Sequence, residues 1–568
     1  MKLIRSVLLA LLALSVIAVV GRAVFQTQTI SRGPVDKFLP EGALLSIQSR
    51  DFAGLLQDWN NSPEKAQWLK SDNYRVFSNS RLFLRLSKAQ AEFAKAAGVP
   101  PDSALLNDAA GAESALAIYD IGKLEFLYVT RLNNGRFVQS PLWQSRGKFE
   151  ARNAGGQQFF VRKDQESERV AAFAIANDYL VLGTREDLVA GSIELIAGGK
   201  GRALTVEPWY ALALAAAPRD PGDLRIALHL EKIAVTPHFR TYWIQQNITE
   251  MQGYGAAVCD LYREGATYRE ERVILPKRAM EDDAALAQQN QAITGLLAAV
   301  PQRYGFYRAA PTNVKDSLSM VEQKILAPQF TAASAEKIAP VVQLSGGQTG
   351  SASDLEIRID AEPAPDTASK DPRQSLQKQF ERAGPIAALV VHASRRNSDG
   401  TLVQLPVVVV LSAAGDWDMV ALQAAMQEYV APNITASRQG MDWQEQKEAG
   451  GYFELNGLLP IKMGRRGKLL YLGNDESLFK AVLLSQSSAP AQPVSYASAF
   501  NHDTERLNYY DFTRLVDRGA NIASQEPAFF SRNITSLSKT FAGVQREEIV
   551  SRQTKDKIVQ TVTYRWAQ

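Results

Sequence analysis

The sequence has little of the chemistry that usually marks a catalytic or metal centre. It contains one cysteine, Cys259, and four histidines in 568 residues. A single cysteine excludes an internal disulfide and any zinc site built from several thiolates. His229, His238, His392 and His502 are too far apart in sequence for two of them to share one helical turn as metal ligands. The sequence therefore predicts no metal and no other cofactor.

Neither sign of charge is in excess. Lys and Arg number 63 and Asp and Glu number 60, which gives a formal net charge of +3. A nucleic-acid-binding protein usually carries a strong basic excess, because its affinity depends on neutralising phosphates. The balance of charge therefore predicts no nucleic-acid partner.

The sequence contains one long apolar run, residues 7–20, which is interrupted by Ser15. Its length approaches that needed to span a membrane. Lys2 and Arg5 precede this run, as in a signal anchor or a secretory signal peptide. The tripeptide at residues 21–23 is a poor cleavage site, so an uncleaved anchor is favoured over secretion after cleavage. We therefore predict a single-pass cell-membrane protein whose remaining chain lies in the periplasm or extracytoplasmic space.

The strongest long-range pattern is an internal duplication. Residues 179–183 resemble residues 469–473, and the Asn-Ile-Thr triplet at Asn247 recurs at Asn533. The offset is 290 at Gly183 and Gly473 and 286 at the two triplets, as small loop insertions would produce. The paired glycines at 155–156 and 450–451 and the Tyr-Ala dipeptides at 210 and 496 extend the series.

The duplication predicts the domain organisation. We expect an α+β fold with two tandem homologous domains, each an antiparallel β-meander sheet packed by helices, after an N-terminal apolar helix. Residues 120–123 predict a hairpin turn between two apolar runs, and each copy is expected to end in a closing hairpin, near Leu275 and at Trp566. Asp51 is expected to cap a helix. The predicted segments follow in chain order: a signal anchor or signal peptide at 1–25, a linker at 26–38, repeat 1 at 39–280, a linking helix at 281–299, and repeat 2 at 300–568, with a mobile insertion at 345–375.

Motifs that resemble functional sites have simpler interpretations. The glycine-rich residues 198–201 lack the spacing of a phosphate-binding loop and are expected to end a helix. Asp416 or Asp418 is expected to cap a helix, and Cys259 to be a buried thiol. The glycosylation sequons at Asn247, Asn433 and Asn533 are triplets that occur frequently by chance. Inheritance within the duplication explains why those at Asn247 and Asn533 occupy equivalent positions.

One basic cluster remains as a candidate for surface contact. Lys462, Arg465, Arg466 and Lys468 surround two glycines in repeat 2 and have no counterpart in repeat 1. Such a cluster could contact anionic lipid headgroups or a protein partner, although a solvated hairpin turn is the favoured interpretation.

The opening residues 39–43, Leu-Pro-Glu-Gly-Ala, follow the apolar N-terminal run and precede Trp59 and Trp68. This arrangement, together with the strand at 179–183 and the helix around Leu188, resembles a group of membrane-anchored bacterial extracytoplasmic proteins, an uncharacterised domain-of-unknown-function family. The resemblance implies an envelope location and carries no activity or site residue to this chain.

Three functions follow from these features. The first is a non-catalytic, membrane-tethered ectodomain that binds or scaffolds an envelope protein or lipid. The second is a carrier or sensor for an apolar ligand, such as a lipid, held between the two repeats. The third is a hydrolase with dispersed catalytic residues, which a cleft with clustered carboxylates, or a Ser facing His229 or His392, would favour. Catalysis is the less favoured class, and the sequence leaves the oligomeric state open.

Overall fold

The computed structural model describes the chain in ten segments. These are residues 34–132, 135–237, 251–278, 283–326, 372–396, 403–434, 442–456, 460–505, 508 and 543–567. The predicted N-terminal apolar helix and the sequon triplets at Asn247 and Asn533 lie outside the described residues. So does most of the predicted insertion, although its last four residues begin a helix at Pro372. Among the described helices, none is both long and apolar enough to cross a membrane.

Fifteen α-helices lie within the described residues. In chain order they are α1 Phe52–Asn61, α2 Pro63–Leu69, α3 Asp72–Ser78, α4 Arg81–Ala97, α5 Ser103–Ala109, α6 Arg136–Gln139, α7 Pro141–Gln144, α8 Glu186–Ile196, α9 Pro208–Ala216, α10 Leu230–Ile233, α11 Asp283–Leu296, α12 Val314–Val321, α13 Pro372–Ala383, α14 Met419–Ile434 and α15 Glu476–Leu483.

The strands in the described residues are mostly five to eleven residues long. They are β1 Leu45–Ser49, β2 Ser114–Asp120, β3 Glu125–Arg131, β4 Glu150–Ala154, β5 Gln157–Lys163, β6 Val170–Ala176, β7 Tyr179–Gly183, β8 Leu224–Leu228, β9 Tyr254–Glu264, β10 Thr267–Pro276, β11 Phe306–Pro311, β12 Pro385–His392, β13 Arg395–Arg396, β14 Val403–Gln404, β15 Val407–Ala413, β16 Trp443–Gln446, β17 Tyr452–Leu455, β18 Ile461–Arg466, β19 Leu469–Gly473, β20 Tyr496–Asn501, β21 Val544–Gln553 and β22 Ile558–Trp566.

The chain forms two compact units. The described residues of unit 1 lie within Met1–Leu56 and Ala89–Ala211, and those of unit 2 lie within Gln57–Lys88 and Leu212–Gln568. The predicted repeats were defined by sequence similarity, whereas the units are defined by spatial contacts. The two divisions differ, because β8, β9 and β10 belong to repeat 1 in sequence but to unit 2 in the structure.

Unit 1 contains an antiparallel sheet with the strand order β1-β2-β3-β7-β6-β5-β4. The predicted hairpin between β2 and β3 is present, and the Asp120 carboxylate accepts a hydrogen bond from the Lys123 amide in its turn. Helices pack on the sheet through an aromatic core in which Phe173 lies 5.1 Å from Phe149 and 5.6 Å from Phe160, measured between ring centroids.

Unit 2 contains a longer antiparallel sheet. Its strand order is β8-β9-β10-β22-β21-β20-β11-β12-β15-β19-β18-β17-β16. Strands β10 and β22 pair from Thr267 opposite Arg565 to Ile274 opposite Ile558. The two closing hairpins that the sequence predicts, β9–β10 and β21–β22, therefore share one sheet.

The sequence of strand β15 is almost entirely apolar because both faces of the strand are covered. Every residue from Val407 to Ala413 is buried. Val409 and Leu411 pack in a core with α12, α13 and α14, whereas Val408 and Val410 pack in a second core with α11 and α15. A strand covered on both faces needs apolar side chains at every position.

The mixed α/β character with antiparallel sheets is thus as predicted. Asp51 and Asp418 cap α1 and α14, accepting hydrogen bonds from the amides of Gly54 and Ala421. One predicted correspondence is wrong: Tyr210 lies in α9, whereas Tyr496 begins β20. A matching dipeptide is too short to specify secondary structure, which depends on the surrounding periodicity.

Candidate binding surface

One face of the unit 2 sheet carries an aligned set of five ring-bearing side chains and one carboxylate. Residues at paired positions of neighbouring strands project from the same face. Starting at β10, the paired positions run across six strands, and each side chain is partly exposed. We call the set the aromatic row: Tyr268, Tyr564, Glu547, Phe500, Phe306 and His392.

Ring contacts connect the aromatic row locally. The Phe306 ring lies 6.2 Å from that of Phe500 and 5.9 Å from that of His392, between centroids. At the other end, Trp566 packs edge-on against Tyr268 at 6.0 Å. Aromatic pairs at these separations attract each other beyond their shared burial. The contacts therefore hold a set of rings in fixed positions on a sheet.

A second set of paired positions, four residues along β10 from Tyr268, is polar. The Arg272 guanidinium donates to Gln560 Oε1 at 3.0 Å, and Gln560 Nε2 donates to Ser551 Oγ at 3.1 Å. Arg272 also donates to Glu270 from Nε at 2.8 Å, and Cys259 lies opposite it on β9. We call Cys259, Arg272, Gln560 and Ser551 the polar row.

Three titratable groups on this face, Cys259, Tyr564 and His392, are neutral near pH 7. Burial, followed by the nearby Glu270, raises the pKa of Cys259 to about 11 and that of Tyr564 to about 12. Burial and then Lys324 lower the pKa of His392 to about 4. A thiol and an imidazole in these states supply neither a thiolate nucleophile nor a proton donor near neutral pH. The face is suited to stacking and hydrogen bonding.

The basic cluster predicted from the sequence lies elsewhere in unit 2, on β18 and the turn to β19. Lys462 is buried, with 2% of its surface exposed, and its ammonium lies 3.3 Å from Glu454. Arg465 and Lys468 are exposed but donate to the carbonyl oxygens of Trp417 and Ala414. Arg466 donates to Ala449 in the same way. Three of the four side chains therefore reach the surface, because Lys462 faces inward.

The other residues considered from the sequence are dispersed. His229 immediately precedes α10, His392 ends β12, His502 follows β20, and His238 lies outside the described residues. Within the described segments, no group of three or more His, Cys, Asp or Glu side chains is placed to hold a metal ion. Gly198, with φ of +79°, follows the end of α8 as predicted.

Unit 1 contains a buried acid that the sequence did not reveal. Asp36 accepts a hydrogen bond from Tyr210 Oη at 3.0 Å and lies 3.4 Å from Gln48 Nε2. Desolvation raises the pKa of Asp36, and Tyr210 is fully buried beside it. Because these groups are enclosed in the core, we assign them a structural role.

Sequence reasoning also missed the aromatic row and the polar row. Their residues come from strands up to about 300 positions apart, so they become a set only when the strand order and register are known. The sequence did contain one relevant signal, the alternation of polar and apolar residues along each strand. This alternation places Tyr564 and Val562 on the same face of β22.

No protein family model and no curated protein matches this chain. Among solved structures, crystal form IV of TP0453 is similar at 10% sequence identity and a TM-score of 0.22. The aligned region covers 43% of this chain and 80% of the TP0453 chain. At this TM-score the likeness does not bear on function.

Proposed function

We propose that the protein is a non-catalytic cell-envelope protein, tethered to the membrane by its N-terminal apolar segment, whose ectodomain binds or scaffolds an envelope partner. The aromatic row carries this proposal. Partly exposed aromatic side chains in fixed positions give large contact area at low conformational cost, and they dominate binding energy in many interfaces. The polar row beside it supplies Arg272 and Gln560 for directional contacts.

The chemical state of this face favours binding over catalysis. Its thiol, phenol and imidazole are neutral near pH 7, and Arg272 already bonds to Glu270 and Gln560. A catalytic site usually places a group with a pKa near the working pH beside the reacting atoms. This face supplies contact area instead.

We infer, in addition, that the two halves of the chain arose by duplication. Strands β1 to β7 have the order 1-2-3-7-6-5-4, and β11, β12 and β15 to β19 repeat that order. Glycine pairs with positive φ join β4 to β5 and β16 to β17, namely Gly155-Gly156 and Gly450-Gly451.

A side-chain contact recurs at equivalent positions. Thr184, directly after β7, accepts a hydrogen bond from the Phe126 amide through Oγ1 and donates its own amide to the Phe126 carbonyl. Asn474, directly after β19, makes the same two bonds with Val407 through Oδ1 and its amide. A shared anchor between equivalent strands supports common origin over chance resemblance.

Affinity purification from solubilised membranes tests the binding function. The tagged full chain is compared with a Tyr268→Ala/Tyr564→Ala variant and with a Thr561→Ala/Thr563→Ala variant, whose changes lie on the opposite face of β22. We expect the aromatic variant to lose about tenfold or more of the captured partner, because truncating interface anchors costs roughly 2 kcal/mol or more. Equal capture by the aromatic variant and the wild type, with both folded, would contradict the assignment of this face.

A carrier or sensor for an apolar ligand is the second candidate, and the side chains between the two rows favour it. Leu261 and Val562 each pair with Glu270, and Val562 also pairs with Ile549, so three apolar side chains and one carboxylate lie between the rings and the polar row. Apolar area with a few polar groups is typical of ligand sites. Native mass spectrometry of the purified ectodomain should then detect a lipid that the Tyr268→Ala/Tyr564→Ala variant does not retain.

A further inference from the structure

A separate basic cavity lies in unit 1, remote in sequence from both rows and from the basic cluster at 462–468. It has a volume of about 450 Å³ and is lined by Lys148, Glu150, Val161, Arg162, Lys163 and Gln165. The 3-10 turn Ser145–Lys148 supplies the first cation, and β5 supplies the other two. This volume lies within the range of small-molecule sites.

The charges of this cavity are not balanced internally. Glu150 is its single lining acid, and that carboxylate already pairs with Arg152 at 2.7 Å. Within the part of the chain that the structure describes, neither Lys148 nor Arg162 forms a salt bridge. Lys163 has an exposed partner, Glu168, at 3.3 Å, and such surface pairs contribute little free energy. The cavity lining therefore presents three cations and one acid.

The position of Arg162 is fixed by its surroundings. Its guanidinium lies over the Phe149 ring, 5.9 Å from the centroid. It also approaches Gly98, which has φ of +72° after the end of α4 and where a Cβ would lie 2.5 Å from Nη1. Any larger residue at this position would displace the guanidinium. The nearby Asp164 carboxylate accepts from the Ser167 amide at 2.8 Å through Oδ2. Ser167, and then Lys95 and Arg162, lower the pKa of Asp164, so this carboxylate offsets part of the charge of Arg162.

We propose that this cavity binds a phosphate group carried by a small molecule or a lipid headgroup. A planar guanidinium and two flexible ammonium groups together match the several oxygens and the double charge of a phosphate monoester. The cavity is larger than inorganic phosphate requires, so it has room for an attached polar group such as glycerol. Val161, 7% exposed, forms an apolar part of its wall.

Two probes test the proposal and distinguish the source of the phosphate. Binding of glycerol 3-phosphate to the purified full-length protein is measured by calorimetry, and vesicle sedimentation compares phosphatidic-acid-containing with pure phosphatidylcholine vesicles. The Lys148→Gln/Arg162→Gln variant should weaken whichever interaction is found by about tenfold or more, as expected for losing charge-assisted hydrogen bonds. Lys148→Arg/Arg162→Lys should retain most of it.

The matched control is Lys315→Gln/Lys378→Gln, which removes the same charge from exposed positions of α12 and α13 in unit 2. Loss of binding in this control to the same extent would overturn the proposal, because a general charge effect would explain both results. Absence of binding to both probes would also overturn it. Because Arg162→Gln removes the contact with Phe149, Lys148→Gln/Lys163→Gln serves as a second variant, and unchanged binding in that folded protein counts against the cavity.

Discussion

At the scale of single residues, burial sets the protonation of several side chains. Asp36 is 3% exposed, and desolvation outweighs its bond to Tyr210, so its pKa lies above the ordinary value of 3.8. The folded chain therefore holds this proton more tightly than the unfolded chain does. The resulting stabilisation is complete below the ordinary pKa and is lost as the pH rises through the raised pKa.

We expect Asp36→Asn to stabilise the protein near pH 7 by on the order of 1 kcal/mol, because an amide can bond to Tyr210 without a buried charge. The gain should shrink as the pH falls toward 4, where the wild-type acid is protonated too. Urea denaturation at a series of pH values measures both effects. Asp108→Asn, at a partly exposed position in α5, is the control, and a pH-independent gain at Asp36 would refute the explanation.

The thiol of Cys259 should react slowly. Burial raises its pKa to about 11, so the thiolate, which is the reactive form, is scarce at pH 8. We expect iodoacetamide to modify the folded protein at least about tenfold more slowly than the urea-unfolded protein, with the rate still rising above pH 9. Rapid modification of the folded chain at pH 7 would contradict this state.

At the scale of elements, a buried ion pair joins β8 to β9. The Asp260 side chain is fully buried, and Arg225 donates to it from Nε at 2.7 Å and from Nη2 at 2.8 Å. The Gly222 amide donates to the same carboxylate at 3.2 Å. Removing one member of such a pair leaves the other charge buried without its partner, which costs more than the intact pair contributes.

Asp260→Ala should therefore lower the free energy of unfolding by about 3 kcal/mol or more. Replacing both members, as in Arg225→Met/Asp260→Leu, should recover part of this loss, because no unpaired charge remains. Chemical denaturation followed by circular dichroism measures the series. Glu264→Gln, in the more exposed pair with Arg269, should change stability by less than about 0.5 kcal/mol, and an equal loss there would argue against burial as the cause.

Among the elements, local features could be predicted from the sequence, whereas the pairing of distant strands could not. Hairpins such as β2–β3 and the caps at Asp51 and Asp418 depend on neighbouring residues, so local patterns were sufficient. The pairing of β3 with β7, or of β10 with β22, depends on distant strands and leaves no local signal. Lys462 was placed in a surface cluster because its neighbours are basic, although its own position on β18 faces inward.

At the scale of the whole molecule, the protection of backbone amides from hydrogen exchange should be greater in central strands of the unit 2 sheet than in edge strands. Strands β10 and β22 have partners on both sides, whereas β16 is paired with β17 alone among the described strands. We expect amides of β10 and β22 to exchange with solvent at rates set by global unfolding, and those of β16 much faster. Hydrogen-exchange mass spectrometry tests this ranking, and fast exchange in β22 would show that the β10 pairing is weak.

The pairing of β10 with β22 also determines how long β10 waits for its second partner strand during synthesis. Arg272 and its partner Gln560 are 288 positions apart, so one edge of β10 has no native partner until much later in synthesis. At ordinary elongation rates that interval is about 15–60 s, a long time for an open strand edge that can pair with other chains. The protein should therefore depend on chaperones, or on export before folding, and overproduction should show that dependence as aggregation.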